Sequence, residues 1–495
     1  MAEIQFVDQT VRDGQQTYWG MRMPAGAISA VAEHIDRTGY YSVDIPVTGA
    51  LSMVPMRHLQ EAPFERLDLF RRSLPNVDLR CARRPGAIGR FSRDPDSIND
   101  LWVRTLVKHG VNTFWIMDVH HNVPAMERIA RTVADAGAKV VPAIFYALSP
   151  VHTDEWYAAR IRDFVSWGIA DSIYVEDAPG ILTPERTRTL APSLVEAAAG
   201  IPLEFHCHDT TGLAPANYVE AINAGIRILH TCSRPLATGP SLPSIEGMLD
   251  NLEWLGHSHP IDAKMLPDVA THFGKVATQE GHPIGAPREY SVAPYLHQMP
   301  GGMTGTLSAQ LREHQMEDRM AEVLRECARV REDLGHPVSA TPFSQLMGIQ
   351  AVLNVTTGDR YSVVPDEVIQ FVLGFFGEPP APINQDVKDR ILSTPQAKEW
   401  MDWEPPEYTL TELRAEYGGA GISDEELLTR YLGTPEILEG IRKAGPLKRT
   451  YEFLDVPTPA GLVQEVMKRQ RIGHAHVRVD DAEFTLTRGS SCTSL

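Results

Sequence analysis

Eight short runs of apolar and β-branched residues recur along the first half of the chain at intervals of 25–37 residues, with amphipathic helical spacing between them. They fall at 4–7, 41–45, 78–82, 113–117, 139–145, 172–176, 203–206 and 228–232, with helical candidates such as 25–38 and 183–199 in between. Strand-sized apolar runs alternating with helices predict βα units around a parallel sheet. Eight such units within residues 1–260 match the length of a (β/α)8 barrel. A doubly wound sheet would want a Gly-x-Gly-x-x-Gly turn after an early strand, and none occurs. In a barrel, chemistry belongs at the C-terminal ends of the strands.

Beyond residue 260 the alternation stops. Long helical patterns take over at 305–334, 344–356 and 366–374, followed by a breaker-rich stretch at 377–384. The expected class is therefore α/β, a (β/α)8 (TIM) barrel over 1–260 followed by a mainly helical C-terminal region over 261–405. A small helical and β segment is expected over 406–495, with one or two strands within 476–486 and a loose tail at 488–495.

Charge and cysteine usage narrow the function. The 46 basic and 64 acidic residues leave a net charge of −18, which argues against nucleic acid, because that affinity rests on neutralising phosphates. No apolar run is long enough to span a membrane. Residues 1–20, with Asp8, Arg12 and Asp13, do not read as a secretion signal, so a cytoplasmic location is expected. Five widely spaced cysteines without a Cys-x-x-Cys pair read as reduced thiols.

Polar residues gather where the barrel places chemistry. The first strand runs into Arg12-Asp13-Gly14-Gln15-Gln16, and the seventh into His206-Cys207-His208-Asp209-Thr210. Alternate residues of a strand share a face, so His206 and His208 point the same way, as two ligands of one metal must. A carboxylate from the first loop would meet them across the barrel mouth. His474-Ala475-His476 has the same spacing and is read as surface. Glu176 and Asp177 end the sixth strand as ligand, base or bystander. Arg80, Arg83 and Arg84 crowd the third, where a guanidinium could grip a carboxylate in two places. Met299-Pro300-Gly301-Gly302-Met303-Thr304-Gly305-Thr306 lacks the lysine of a phosphate loop and reads as a tight backbone turn.

In order along residues 4–400, several segments resemble the carboxyltransferase component of biotin-dependent enzymes acting on pyruvate and oxaloacetate, relatives of the metal-dependent lyase and aldolase barrels. The resemblance is carried by Asp8-Gln9-Thr10-Val11-Arg12-Asp13-Gly14-Gln15-Gln16, Ser149-Pro150-Val151-His152-Thr153 and His206-Cys207-His208-Asp209-Thr210-Thr211-Gly212-Leu213. It continues through Met299-Pro300-Gly301-Gly302, Val330-Arg331-Glu332-Asp333-Leu334-Gly335, Thr341-Pro342 and Gln350-Ala351-Val352-Leu353-Asn354-Val355. It implies that residues 261–405 are a carboxylase-type region completing the active-site funnel. It also implies a divalent metal (Zn, Mn or Co) on Asp13, His206 and His208, catalytic roles for Arg12 and Gln16, and Gln16, Arg83 and Asp118 as contacts for a 2-oxo acid.

Departures from the family pattern cluster at the mouth. Where the family has a carbamylated lysine as fourth ligand, this chain has Glu176, whose carboxylate stops three bonds earlier, about 3–4 Å short. The family's proton-shuttling threonine column holds Gly305, with Thr304 and Thr306 beside it, so Thr304 is taken as the catalytic hydroxyl. No biotin-accepting Met-Lys-Met is found; Met467-Lys468-Arg469 sits in a helix-like stretch. Biotin is thus expected only in trans, with separate carrier and biotin carboxylase subunits, on a chain that itself forms homo-oligomers. The alternatives are a biotin-independent metal-dependent decarboxylase or C–C lyase or aldolase, or a non-catalytic assembly subunit.

Overall fold

A computed structural model describes residues 2–89, 93–313, 316–341, 343–405, 407–453, 474–479 and 482–487. Pro342, Met467-Lys468-Arg469 and the tail at 488–495 lie outside them. The strands β1 (Gln5–Asp8), β2 (Ser42–Asp44), β3 (Leu79–Arg83), β4 (Thr113–Ile116), β5 (Lys139–Phe145), β6 (Ile173–Asp177), β7 (Leu203–Cys207) and β8 (Ile228–Thr231) close a parallel barrel in sequence order. β8 pairs back onto β1. Each expected run meets its strand to within one residue at either end.

Local chemistry explains the crossovers. Thr153, Thr183 and Ser244 cap the helices Asp154–Ser166, Pro184–Ala197 and Ile245–Leu255, each side chain accepting a backbone N–H of the first turn. The helices bury apolar faces such as Leu190, Ala191 and Leu194 against the outer surface of the barrel. Aliphatic layers usually fill such a barrel. Here the interior holds charge: Arg80 of β3 donates to Glu204 of β7 across it at 2.7 Å, both fully buried.

A second apolar cluster joins the upper barrel residues Ala82, Trp115, Phe145 and Tyr174 to Leu307, Val323, Phe343 and Val368 of the following helices. The single helical pattern expected over 305–334 is two helices, Gly301–Glu313 and Met320–Asp333. The apolar stripe explains the division. Leu307 and Leu311 set one phase, whereas Val323, Cys327 and Val330 follow about one residue out of step, so a straight helix could not bury both. The glycine-rich stretch at 299–306 is likewise the start of a helix and not a turn. Gly301 sits where a Cβ would run into Pro240.

The helices Leu410–Tyr417, Asp424–Leu432 and Pro435–Ala444 bury Leu413, Leu427, Leu428 and Ile437 in the main core cluster. Met1–Tyr451 forms one compact unit. Glu452–Leu495 forms another, in which β9 (His474–Val479) and β10 (Ala482–Thr487) pair as an antiparallel hairpin. His476 is exposed there. The four described cysteines are buried and unpaired with one another. No described helix is long and apolar enough to cross a membrane.

Candidate active site

After β1 the backbone makes a π-helical turn over Thr10–Gly14, a rare conformation often found at functional sites. The turn brings Asp13 to the two histidines that end β7. Asp13 Oδ2 lies 3.4 Å from His206 Nε2 and 3.6 Å from His208 Nε2, and the two imidazole nitrogens are 3.2 Å apart. All three residues are buried, and together they form the one group among the described residues with the donor set and spacing of a metal site. His208 Nδ1–H donates to the Pro240 carbonyl at 2.6 Å, which leaves its Nε2 lone pair for the cluster. Gly180, at φ +68° in the turn after β6, has the His208 backbone where a Cβ would stand, so the approach of this turn to β7 requires glycine.

Arg12 binds the cluster from one side. Its Nη1 is 3.0 Å from Asp13, its Nε is 3.4 Å from Asp44, and its guanidinium lies over Trp115 at 5.0 Å. Burial would raise the Asp13 carboxyl, but Arg12 and the imidazoles hold it well below the usual range. Burial would lower His208, yet Asp13 lifts it to about 9. Burial keeps His206 well below its ordinary value. Three potential ligands thus converge, and beside them the buried atoms Arg12 Nη2 and Glu176 Oε2 lack a protein partner, as does Gln16 Oε1 in the helix that follows the turn. Two imidazoles and a carboxylate suit a borderline divalent ion such as Zn, Mn or Co. The residues fit the metal.

Glu176, paired in register with His206, is buried and lies outside the three-residue ligand group. Burial first, and then Asp13, pushes it to about 7, with Arg12 opposing. It makes no ion pair among the described residues, so it is not an arginine-bound strut. Thr304 lies in the first turn of Gly301–Glu313, donating to the Gly301 carbonyl at 2.8 Å. That helix starts against Pro240, the residue that fixes His208. The side chain of Thr306 is outside the described set.

Arg83 is not brought to the cluster. It lies on the opposite strand face from Arg80 and Ala82, donating to Asn99 of the outer helix Asp96–Lys108 and, at 2.8 Å, to the Ala87 carbonyl. The expectation that Arg83 grips the substrate is corrected by strand alternation: the neighbouring inward positions belong to Arg80, held by Glu204, and to Arg84. Asp118 accepts from the backbone N–H groups of His120 and Asn122. With Arg84, Arg128, Phe343 and Trp403 it lines a cavity of about 560 Å³ over β3 and β4, which no member of the metal cluster borders.

Beneath the cluster lie Gln9, Asp44, Arg80, Glu204 and His230; Asp44, Glu204 and His230 were not singled out in sequence, and Arg80, one of the arginines offered as a carboxylate grip, is instead bound to Glu204. Gln9 Nε2 donates to Asp44 and reaches His230, and Glu204 receives Arg80, His230 and Ser172. Burial would raise Glu204, but Arg80 and His230 bring it to about 2. The available signal was Glu204-x-His206-x-His208, with polar residues at every inward position of an otherwise apolar strand.

Residues 108–272 match the HMGL-like family model, and residues 295–459 match that of the conserved carboxylase domain. A pyruvate carboxylase subunit of Methanocaldococcus jannaschii is 35% identical over 468 residues, spanning 92% of this chain and 82% of that protein. The 2-oxoglutarate carboxylase large subunit of Hydrogenobacter thermophilus is 32% identical over 391 residues, 79% of this chain and 60% of that protein. Among solved structures, the carboxyl transferase domain of Rhizobium etli pyruvate carboxylase with 3-hydroxypyruvate superposes with a TM-score of 0.81 at 25% identity, covering 90% of this chain and 78% of that one. The chain belongs to the family of pyruvate carboxylase carboxyltransferase subunits and is an enzyme of that type.

Proposed function

We propose that this chain transfers a carboxyl group between biotin, carried on a separate polypeptide, and the carbon next to the carbonyl of a 2-oxo acid, at a divalent metal held by Asp13, His206 and His208. The observation that carries this reading is the convergence of these three groups within 3.2–3.6 Å, beside unpartnered buried atoms of Arg12 and Glu176. The metal supplies Lewis acidity at the substrate carbonyl. Arg12, with Nη1 on Asp13 and Nη2 free, offers a hydrogen bond to negative charge developing on that oxygen. Gln16 orients the substrate. Glu176 stands behind the ligands and reaches them through a bridging water. Thr304 carries the proton that leaves or returns as the carboxyl group moves. Arg84, beside Asp118 on the open side of the mouth, takes the carboxylate-gripping role first expected of Arg83.

The relatives named above act on pyruvate and 2-oxoglutarate, and the solved neighbour holds 3-hydroxypyruvate; all three are 2-oxo acids. The helices of 261–405 roof the funnel over the barrel mouth, and the enzyme works in the cytoplasm as a homo-oligomer with carrier and biotin carboxylase subunits.

Oxaloacetate labelled in its transferable carboxylate, incubated with the chain, Mn²⁺ and a biotinylated carrier protein, tests the reading. Label is expected on the carrier. Label released as carbon dioxide at the same rate with and without carrier would overturn it in favour of biotin-independent decarboxylation. That second reading draws its support from glutamate at the carbamate position and Gly305 in the threonine column.

A further inference from the structure

His206 offers Nε2 to Asp13 and His208, and its other nitrogen, Nδ1, lies 3.2 Å from Nδ1 of His230 on β8. Which of these nitrogens carries a proton is fixed from both ends of the surrounding network. Arg12 Nε, which can only donate, lies 3.2 Å from one end of the Gln9 amide, so that end is the carbonyl oxygen. The NH2 end therefore faces Asp44 Oδ2 and His230 Nδ1, both at 3.0 Å. His230 Nδ1 is then an acceptor, and its proton sits on Nε2, from which it donates to Glu204 Oε2 at 2.9 Å. Arg80, at 2.7 Å from the same oxygen, and Ser172 Oγ, at 2.6 Å from the other, hold that carboxylate. Two unprotonated nitrogens would repel at 3.2 Å, so His206 Nδ1 carries its proton and shares the one lone pair of His230 Nδ1 with the Gln9 N–H, which leaves the lone pair of His206 on Nε2, toward Asp13 and His208.

Metal-binding histidines commonly donate their second N–H directly to a carboxylate or carbonyl, which sets tautomer and ring orientation. Here an imidazole is interposed, anchored by an ion pair that crosses the barrel. We propose that His230 is a positioning residue for the metal site, accepting a hydrogen bond from the Nδ1–H of His206 and so presenting His206 Nε2 to the ion, with Glu204, Arg80 and Gln9 fixing His230 in the accepting tautomer. The proposal rests on the assignment of Asp13, His206 and His208 as ligands.

The test is metal affinity, measured for Mn²⁺ and Zn²⁺ by competition with a chromogenic chelator. Circular dichroism and metal-free melting serve as fold controls. His230→Phe keeps a ring but removes the acceptor, and is expected to weaken binding about 10–100-fold. The Asn carbonyl oxygen can stand where Nδ1 stood, so His230→Asn is expected to restore affinity to within a few-fold. Glu204→Gln, whose carbonyl can still receive His230 and Arg80, should do the same. A merely structural role predicts a lower melting point with unchanged affinity, or equal losses for Phe and Asn; either overturns the proposal. If His230→Phe does not fold, His230→Leu also removes the acceptor with a smaller apolar side chain, and unchanged affinity in that variant overturns it as well. Metal retained by the His206→Ala/His208→Ala chain would sink the ligand assignment and the proposal together. Metal lost there but bound normally by folded His230→Phe would sink the proposal alone.

Discussion

The two sides of the barrel mouth use charged residues in opposite ways. Around β1, β6 and β7, Arg12 and Glu176 are buried with polar atoms left unpartnered beside three mutually close ligands, and the half-buried Gln16 of the helix that follows also has an unpartnered Oε1. Over β3 and β4, Arg83 Nε is also left without a partner, but the other Arg83 donors and Asp118 go to Asn99, the Ala87 carbonyl and the N–H groups of their own loop, and no group of close ligands faces them among the described residues. A buried polar group without a protein partner costs free energy unless a ligand completes it. The first side is therefore organised for binding, whereas Arg83 and Asp118 on the second hold loops in place. Unpartnered atoms occur on both sides; what separates the two is the group of mutually close ligands that only the first side holds among the described residues.

The contrast breaks most sharply at the ligands. His206→Ala/His208→Ala is expected to abolish the roughly one equivalent of Zn, Mn or Co that the purified chain should hold, together with carboxyl transfer. Elemental analysis checks this, and undiminished metal would mean that the convergence of Asp13, His206 and His208 is a structural accident.

The next effect lies beneath the site. Glu204 has a folded pKa of about 2 against an ordinary value of 4.5. Its folded form is the more acidic, so its contribution is complete above about pH 4.5 and is lost as pH falls toward 2. The full difference is about 3 kcal/mol. Urea unfolding between pH 6 and 3, wild type against Glu204→Gln, isolates it: the two stabilities should converge as pH falls, and parallel curves would show that Arg80 and His230 do not hold the carboxylate.

Between the two sides, paired substitutions sharpen the contrast. Arg83→Ala removes donors from Asn99 and the Ala87 carbonyl and should cost about 1–3 kcal/mol of stability while leaving 2-oxo acid affinity unchanged. Arg84→Ala should leave the fold stable and weaken that affinity by about 1.5–3 kcal/mol. Melting curves and substrate titration on both variants would expose a reversed assignment.

How much of this was legible in sequence follows the same division. Periodicity places all eight strands, because each is buried on both faces and stays largely apolar or β-branched even where, as on β3 and β7, charged side chains point inward. Alternation along β7 also unites His206 with His208. The same rule, applied to β3, sends Arg83 outward, against the substrate-facing place that resemblance to a family motif implies. The break between Glu313 and Met320 needed the phase of the apolar stripe and not its mere presence. The Gln9–His230–Glu204–Arg80 network was illegible as a motif. Its members lie just after β1 and on β3, β7 and β8, and only closure of the barrel brings them together.

Glu176 tests the contrast at its finest grain, since it sits on the binding side and yet outside the ligand group. If it supports the metal through water, Glu176→Gln should keep the fold and lower metal affinity or activity by about 10–100-fold. If it is only a buried structural acid, the same change should relieve the cost of burying its charge and leave metal content normal. A carbamate would need carbon dioxide to form, whereas a glutamate is already an acid, so metal loading of the isolated chain should not respond to bicarbonate at all. Equilibrating the metal-free chain with Mn²⁺ in bicarbonate-free and bicarbonate-rich buffer at one pH measures this directly. Equal binding isotherms are the expected outcome. A rise with bicarbonate would mean that an additional anion completes the coordination shell and that the carboxylate of Glu176 does not replace the carbamate.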